Sequence, residues 1–180
     1  MARKIAVMTG TRADFGLLRN LLAEIEGHPG LELQLIATGS HLSKTHGETI
    51  TEVLEAGFTP AALVTIWTES SEALQVAIDT GESIAKFANT LDELAPDLVV
   101  VLGDRLEAFA MAAASTVLGI PVAHIHGGEL TEGAMDDALR HSITKLSYLH
   151  FATTDEHAAR IAQLGEDPKR IYNFGAPVLD

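Results

Sequence analysis

Residues 96–129 decide the fold of this chain and read PDLVVVLGDRLEAFAMAAASTVLGIPVAHIHGGE. Residues 98–102 form a continuous apolar, β-branched run without polar alternation, which is typical of a central parallel strand covered on both faces. Residues 106–118 have helical character, and residues 122–125 form a second apolar run. The stretch therefore predicts a strand, a helix and a second strand parallel to the first.

Charged residues and glycines follow both predicted strands. The first strand ends in Gly103, followed by Asp104 and Arg105, and the second ends in His126, two glycines and Glu129. Ligands of open α/β sheets bind beyond the carboxyl ends of the strands, so these two ends predict a candidate active site. Asp104 has an alternative structural role as the cap of the following helix.

The rest of the chain continues the alternation of strand and helix. The other predicted strands are 4–8, 33–37, 62–67, 149–152 and 170–174. A long apolar helical stripe between residues 71 and 94 contains Gly81, which we expect to bend or divide the helix. The pattern predicts a doubly wound, Rossmann-like α/β domain with a mainly parallel sheet of about seven strands.

Two further predicted strand ends contribute to the same edge. Gly10 and Arg12 follow the first strand, where Thr11 and Asp14 resemble a capping box at the start of a helix. Backbone amides there either start a helix only or also face a phosphate or a base. The glycine spacing differs from the dinucleotide-binding fingerprint, so an NAD site is not predicted. His41 follows the second strand, and nothing near it has a zinc spacing.

A helix after the glycine-rich loop carries four ionisable residues on consecutive turns. Spacings of four place Asp136 beside Arg140 and Asp137 beside His141. Surface ion pairs would explain both spacings. The alternative is that the two aspartates contribute to the site at the strand ends.

Composition excludes several classes of function. The 180 residues contain no cysteine, which excludes disulfides and thiolate catalysis and fits a cytoplasmic location. The formal net charge of −13 argues against diffuse binding to nucleic acid. No segment approaches the roughly 20 apolar residues of a membrane span, and the amino terminus lacks a signal-peptide pattern. We therefore expect one globular domain over residues 1–180.

Five motifs stand in order along the chain. They are TGTRAD from Thr9, TGSHL from Thr38, GDR from Gly103, HIHGGE from His124 and DDALRHSITKL from Asp136. Together they resemble the hydrolysing UDP-N-acetylglucosamine 2-epimerases, and the later GAP at 175–177 resembles the close of that family's first domain. The resemblance spans the whole chain.

The resemblance implies a two-domain GT-B arrangement with the active site in the cleft between two Rossmann-like domains. This chain resembles only the first domain. The implied partners are a UDP-sugar substrate, the C-terminal nucleotide-binding domain of the full enzyme and a second copy in a homo-oligomer. No metal or other cofactor is implied. Because the second domain supplies most nucleotide contacts and a catalytic histidine, we expect the isolated domain to be inactive.

The implied reaction converts UDP-N-acetylglucosamine to N-acetylmannosamine and UDP, the first committed step toward sialic-acid-type sugars. The C2 proton of the sugar is not acidified by a carbonyl, so elimination relies on the departing UDP and on a carboxylate that stabilises positive charge at the anomeric carbon. Water then adds to the resulting glycal with inversion at C2. Such chemistry requires acid and base groups of different protonation.

The resemblance also assigns the site residues. The catalytic counterparts fall on Asp104, on the loop from His126 to Glu129, and on Asp136 or Asp137. Many relatives carry glutamate where this chain has His126, so either Glu129 replaces that carboxylate or His126 acts as the proton shuttle. We favour Glu129. The expected substrate-binding residues are Gly10, Arg12, His41, Arg105 and Arg140.

Three other functions remain open. Non-hydrolysing epimerases re-add UDP, but their relatives typically read GDT and HVEAGL where this chain reads GDR and HIHGGE. A hydrolysing epimerase of a UDP-diacetamido sugar is a second alternative. A non-catalytic sugar-nucleotide-binding module is a third.

Overall fold

The computed structural model of the chain describes residues 2–43, 48–66, 72–131 and 135–177. Its strands are β1 (Arg3–Thr9), β2 (Leu31–Thr38), β3 (Ala62–Val64), β4 (Leu98–Leu102), β5 (Val122–Ile125), β6 (Leu149–Ala152) and β7 (Ile171–Asn173). Its α-helices are α1 (Arg12–Gly27), α2 (Ile50–Glu55), α3 (Ala73–Leu94), α4 (Leu106–Val117), α5 (Asp136–Leu146) and α6 (Asp155–Gln163). The strands form one sheet in the order β3-β2-β1-β4-β5-β6-β7, and all its neighbouring strands are parallel. The predicted doubly wound fold is confirmed.

Two apolar clusters cover the sheet, one on each face. Phe87 of α3, Met111 of α4 and Ile143 of α5 belong to the first cluster. Leu18 of α1 and Val53 of α2 belong to the second. Strand β4 has neighbours on both sides and contributes to both clusters, which explains its unbroken apolar sequence.

The neighbours β1 and β4 define the point where the order of the sheet reverses. The chain adds β2 and β3 on one side of β1, then returns through α3 to β4 on the other side. Loops leave such a switch point in opposite directions and open a crevice at the carboxyl ends of the strands. The loops after β1 and β4 flank this crevice.

Local structure differs from the sequence predictions at three places. The helix α3 is continuous through Gly81, so the predicted division there is wrong, and a bend stays a prediction. The third strand was predicted to reach Trp67, which lies outside the described residues, and β3 spans only Ala62–Val64. The N-cap of α4 is Arg105, without a side-chain hydrogen bond, so Asp104 does not cap that helix. Its carboxylate is used elsewhere.

Candidate active site

The side chains of Asp104 and Glu129 meet at a shared guanidinium group. Arg140 of α5 donates a hydrogen bond through Nη2 to Oδ2 of Asp104. Its Nη1 lies 3.6 Å from Oε2 of Glu129. The two predicted catalytic carboxylates therefore lie close together although they come from different strand ends.

Arg140 is buried, with a side chain only 7% exposed. Its Nη1 also donates to the backbone oxygen of His126 at 2.7 Å, and its Nη2 donates to Oγ1 of Thr131 at 3.2 Å. Thr131 in turn donates to Oδ2 of Asp104 at 3.3 Å. Spacing along the helix predicted Asp136 as the partner of Arg140, but the guanidinium points into the site and joins the ends of β4 and β5. Direct contact of Arg140 with a substrate stays a prediction.

His126 has a strained backbone and an imidazole directed at Glu129. Its φ of +66° lies in the left-handed region, which costs a non-glycine residue about 1–2 kcal/mol. Its backbone amide donates to the oxygen of Phe151, which helps to hold this conformation. The ring Nδ1 lies 3.1 Å from Oε1 of Glu129, whereas Nε2 is buried and has no hydrogen-bond partner. Burial lowers the pKa of His126, an effect that Glu129 opposes and Arg140 reinforces.

Two residues that the sequence did not single out also contact Glu129. Thr153, directly after β6, donates through Oγ1 to Oε1 of Glu129 at 3.0 Å. His157 of α6 lies 2.7 Å from Thr153 Oγ1 through its Nδ1, and the same nitrogen lies 4.0 Å from Glu129 Oε1. Strand β6 is the neighbour of β5, so its carboxyl end faces the same edge of the sheet. The only signal in the sequence was therefore that a strand ended there.

His124 lies under this cluster and is fully buried. Its Nε2 donates to the backbone oxygen of Gly103 at 2.7 Å, and its Nδ1 lies 3.2 Å from Oγ1 of Thr144. Burial lowers the pKa of His124 to about 3, so the ring is neutral at ordinary pH. The imidazole fixes the turn that presents Asp104. Gly127 packs closely against this ring, because a Cβ there would lie 3.0 Å from Nδ1 of His124.

A second polar group lies at the switch point between β1 and β4. Oδ2 of Asp14 accepts a hydrogen bond from the backbone amide of Gly10 at 3.3 Å. Arg105 lies 4.0 Å from Asp14 and 3.8 Å from Glu107, measured between the charged atoms. Burial raises the pKa of Glu107. A Cβ at Gly10 would lie 2.7 Å from Oε1 of Glu107, so the glycine makes room for this carboxyl group.

Thr11 and Asp14 form the predicted helix start in modified form. Oγ1 of Thr11 accepts from the backbone amide of Asp14 at 3.1 Å, as in a capping box. The Asp14 carboxylate, however, reaches back to Gly10 and not to the cap residue itself. The backbone amide of Gly10 therefore already has a hydrogen-bond acceptor within the chain.

His41 and Arg12 differ sharply in their surroundings. His41 is fully buried, and its two ring nitrogens lie 2.9 Å from Thr9 Oγ1 and 2.8 Å from Thr49 Oγ1. Burial lowers the pKa of His41. The Arg12 side chain is 76% exposed and pairs with Glu52 at 3.0 Å. His41 thus stabilises the loop after β2, while Arg12 lies at the surface in an ion pair with Glu52, and contact of either residue with substrate stays a prediction.

Asp136 and Asp137 occupy the first turn of α5. Asp137 lies 3.5 Å from Nε2 of His141, which agrees with the predicted spacing of four residues. Oδ1 of Asp137 is buried and has no hydrogen-bond partner, and the same holds for Nδ1 of His141. A catalytic role for Asp136 or Asp137 stays a prediction.

Two open surface hollows lie away from the strand-end cluster. One of about 500 Å³ is lined by residues of α4 and α5, and one of about 300 Å³ lies beside the start of β5. Neither is lined by Asp104, His126 or Glu129. Within the described ranges, no group of three or more histidines and carboxylates could hold a metal ion, and no helix is long and apolar enough to cross a membrane.

The fold and the cluster together define a Rossmann-like domain with acid–base residues at the carboxyl ends of its central strands. A comparison with known families gives its particular affiliation. The chain belongs to the UDP-N-acetylglucosamine 2-epimerase family, whose profile matches residues 23–180.

Curated relatives match almost the whole chain. A UDP-N-acetylglucosamine 2-epimerase of Neisseria meningitidis serogroup B is 43% identical over 99% of this chain and 46% of that protein. A hydrolysing GDP/UDP-N,N'-diacetylbacillosamine 2-epimerase of Campylobacter jejuni is 41% identical over 97% of this chain and 45% of that protein. A hydrolysing UDP-N,N'-diacetylbacillosamine 2-epimerase of Legionella pneumophila is 37% identical over 100% of this chain and 48% of that protein. The chain spans about half the length of these relatives.

Solved structures agree on the fold. The crystal structure of UDP-GlcNAc 2-epimerase from Neisseria meningitidis, bound to UDP-GlcNAc, superposes with a TM-score of 0.86 at 23% identity, over 98% of this chain and 47% of that one. The structure of the Methanocaldococcus jannaschii UDP-GlcNAc 2-epimerase in complex with UDP-GlcNAc and UDP superposes with a TM-score of 0.82 at 23% identity, over 96% of this chain and 46% of that one.

Proposed function

We propose that this chain is the N-terminal domain of a hydrolysing 2-epimerase that converts UDP-N-acetylglucosamine to N-acetylmannosamine and UDP. Family membership supports the UDP-sugar and the 2-epimerisation. The names of relatives at 41% and 37% identity support hydrolysis. The acid–base cluster at the ends of β4 and β5 supplies groups suited to the proton transfers.

The observation that carries the proposal is the pair of His126 and Glu129. Oε1 of Glu129 accepts from Thr153 and faces His126 Nδ1, while Oε2 faces Arg140. Glu129 is thus surrounded by donors and is poorly placed to take a proton from carbon. His126 Nε2, by contrast, is buried and has no hydrogen-bond partner, so it is free of competing donors but needs a local rearrangement to meet a substrate. The pair resembles the arrangement in which a carboxylate orients a histidine base, so we now favour His126 over Glu129 as the base.

In the proposed elimination, His126 Nε2, which is buried in this structure, becomes accessible to the sugar and takes its C2 proton. The C2–H electron pair forms the C1–C2 double bond as the bond from C1 to the UDP oxygen breaks. Asp104, which accepts a hydrogen bond from Arg140, stabilises the positive charge that develops at C1. The carboxyl group of Asp136 or Asp137 then gives a proton to C2 on the opposite face as a water oxygen bonds to C1 of the glycal. The proton that the water loses restores the aspartic acid, and His126 releases the original C2 proton to solvent.

A second candidate substrate is a UDP-diacetamido sugar. Two of the relatives are named hydrolysing epimerases of N,N'-diacetylbacillosamine nucleotides. Both substrates share the 2-acetamido group and the UDP leaving group, so the same residues would serve the same elimination. The two sugars differ at C4 and C6, which makes side-by-side turnover the discriminating measurement.

We propose further that the domain acts with a second, nucleotide-binding domain. The curated relatives are about twice as long as the part that this chain matches. The strand-end cluster would then form one wall of an interdomain cleft, and the isolated 180-residue chain would not turn over. A non-catalytic sugar-nucleotide-binding module would also lack turnover, so the test requires a protein with both domains.

The test is product analysis by NMR in D₂O, using this domain joined to its second domain. With UDP-N-acetylglucosamine we expect free N-acetylmannosamine carrying deuterium at C2, together with UDP. The His126→Gln variant should lose turnover, while Val117→Ala, on the exposed end of α4, should retain it. Reversible formation of UDP-N-acetylmannosamine without free sugar would replace hydrolysis by the non-hydrolysing reaction. Absence of any turnover with either sugar would overturn the enzyme proposal.

A further inference from the structure

We propose that Thr153 and His157, at the junction of β6 and α6, are positioning residues that hold Glu129 so that the His126 ring keeps its proton on Nδ1 and leaves Nε2 unprotonated. The catalytic meaning of this inference rests on the proposed function. The hydrogen-bond order itself does not.

The distances fix one consistent direction for the protons. The hydroxyl of Thr153 has a single proton, and it donates this proton to Oε1 of Glu129 at 3.0 Å. Thr153 Oγ1 must then accept from Nδ1 of His157, which lies 2.7 Å away. Nδ1 of His126 lies 3.1 Å from Oε1 of Glu129, within the distance of an ion pair. The hydrogen bond assigns the Nδ1 tautomer to His157, and the nearby Glu129 carboxylate favours the same tautomer of His126, because a bare Nδ1 would face the carboxylate lone pairs.

The helix α6 is locked onto the loop that carries Glu129. Gly128 has a φ of +78°, and a Cβ there would lie 2.3 Å from the backbone oxygen of His157 and 2.9 Å from Cγ1 of Ile161. Arg160 Nη1 donates to the backbone oxygen of Gly128. This contact between backbones fixes the distance between α6 and Glu129, so the link through Thr153 does not depend on a flexible side chain alone.

Charged and titratable groups face Glu129 from four elements. His126 follows β5, Arg140 belongs to α5, His157 belongs to α6, and Asp104 follows β4 and shares Arg140; Arg160 of α6 contacts the neighbouring Gly128 carbonyl and Glu156. His157 is 4.0 Å from the carboxylate, too far for a direct hydrogen bond. It therefore acts through Thr153, and removal of the threonine hydroxyl should disconnect it.

The test is NMR of the imidazole nitrogens in the ¹⁵N-histidine-labelled 180-residue chain. At a pH where both rings are neutral, we expect both His126 and His157 to carry the proton on Nδ1. In Thr153→Val the Nδ1 tautomer of His157 should be lost, because its acceptor is gone. The pKa of His126 should rise, because Glu129 loses one donor and interacts more strongly with the imidazolium. Thr153→Ser, which keeps the hydroxyl, should retain the wild-type spectrum.

Two further variants separate positioning from loss of stability. The Thr154 side chain caps α6 by accepting from the backbone amide of His157 at 3.2 Å. Thr154→Ala should weaken the start of α6 without changing the tautomer of His126. His157→Asn places a donor near the position of Nδ1 and should restore the His126 signals that His157→Leu alters. A change in Thr154→Ala equal to that in Thr153→Val would overturn the inference.

The two-domain protein supplies the kinetic readout. Thr153→Val should lower kcat about tenfold, the equivalent of one hydrogen bond to a charged group, and leave KM unchanged. An unchanged kcat, or a wild-type His126 with its proton on Nε2, would overturn the positioning role. If the wild-type NMR pattern is as expected but no sugar is turned over, the proposed function fails and the hydrogen-bond order stands.

Discussion

Replacement of Arg140 by leucine should destabilise the chain by about 3 kcal/mol. The guanidinium contacts two carboxylates and the carbonyl of His126, and its side chain is only 7% exposed. Loss of one partner from a buried ion pair costs about 3–5 kcal/mol, because the remaining charge is left uncompensated. Asp104 and Glu129 retain side-chain exposures of 22% and 24%, so water screens part of this cost and the lower end applies.

The measurement is urea denaturation of the 180-residue chain at pH 7.5. A loss of about 3 kcal/mol is a large fraction of the roughly 5–15 kcal/mol that stabilises a domain. The matched control is Arg12→Leu, because Arg12 pairs with Glu52 at a surface where its side chain is 76% exposed. This variant should change the free energy of unfolding by less than about 1 kcal/mol.

A double-mutant cycle with Asp104→Asn identifies the source of the loss. If Arg140 acts through Asp104, the coupling energy between the two substitutions should exceed about 1 kcal/mol. The pKa of His126 should also rise in Arg140→Leu, because the arginine lowers it in the wild type. An Arg140→Leu chain within about 1 kcal/mol of wild type would refute the view that this residue holds the site together.

Three further predictions concern pH and packing. The pKa of His124 is about 3 in the folded chain and near 6.5 in the unfolded chain. Its contribution to the free energy of unfolding is therefore fully present above pH 6.5 and is lost by about 1.4 kcal/mol per pH unit as the pH falls toward 3. In denaturation measured against pH, His124→Gln should lack this part of the slope. Gly128→Ala should lower the free energy of unfolding by more than about 2 kcal/mol. Gly165→Ala, also at positive φ but with its added Cβ 3.9 Å from the nearest atom, should lower it by less. Equal losses of stability in thermal unfolding would contradict the close contact between Gly128 and His157. Burial raises the pKa of Glu107, so ionisation of this group destabilises the folded chain. At pH 8, Glu107→Gln should leave the free energy of unfolding unchanged or increase it, and any increase should shrink as the pH falls through the pKa of the folded state. A clear decrease in the free energy of unfolding at pH 8, measured in urea, would show that the anion is required.

Most of the fold was predictable because it depends on local patterns. The β-branched apolar run at 98–102 is typical of a strand covered on both faces, and the small residues of α4 pack closely against α3 and the sheet. The predictions failed where local propensity was a weak guide. Gly81 did not interrupt α3, because the surrounding helix and its packing outweigh the cost of one glycine, about 1 kcal/mol.

The candidate site was predictable only in part. Strand ends and motifs pointed to Asp104, His126 and Glu129, but the partner of Arg140 was wrongly inferred from helical spacing. Spacing describes neighbours on one helix and contains no information about a side chain that points toward the sheet. Thr153 and His157 were missed for the same reason, since they approach Glu129 from another strand end.

By itself, the sequence determined the alternation of strands and helices, the edge at which polar residues collect and the family resemblance, because periodicity, glycines and motifs act over short stretches of chain. Only the tertiary structure decided which of those polar residues share hydrogen bonds. It left His126 Nε2 without a partner and surrounded Glu129 with donors, because the order of strands in the sheet, which local sequence does not encode, brings β4, β5 and β6 side by side.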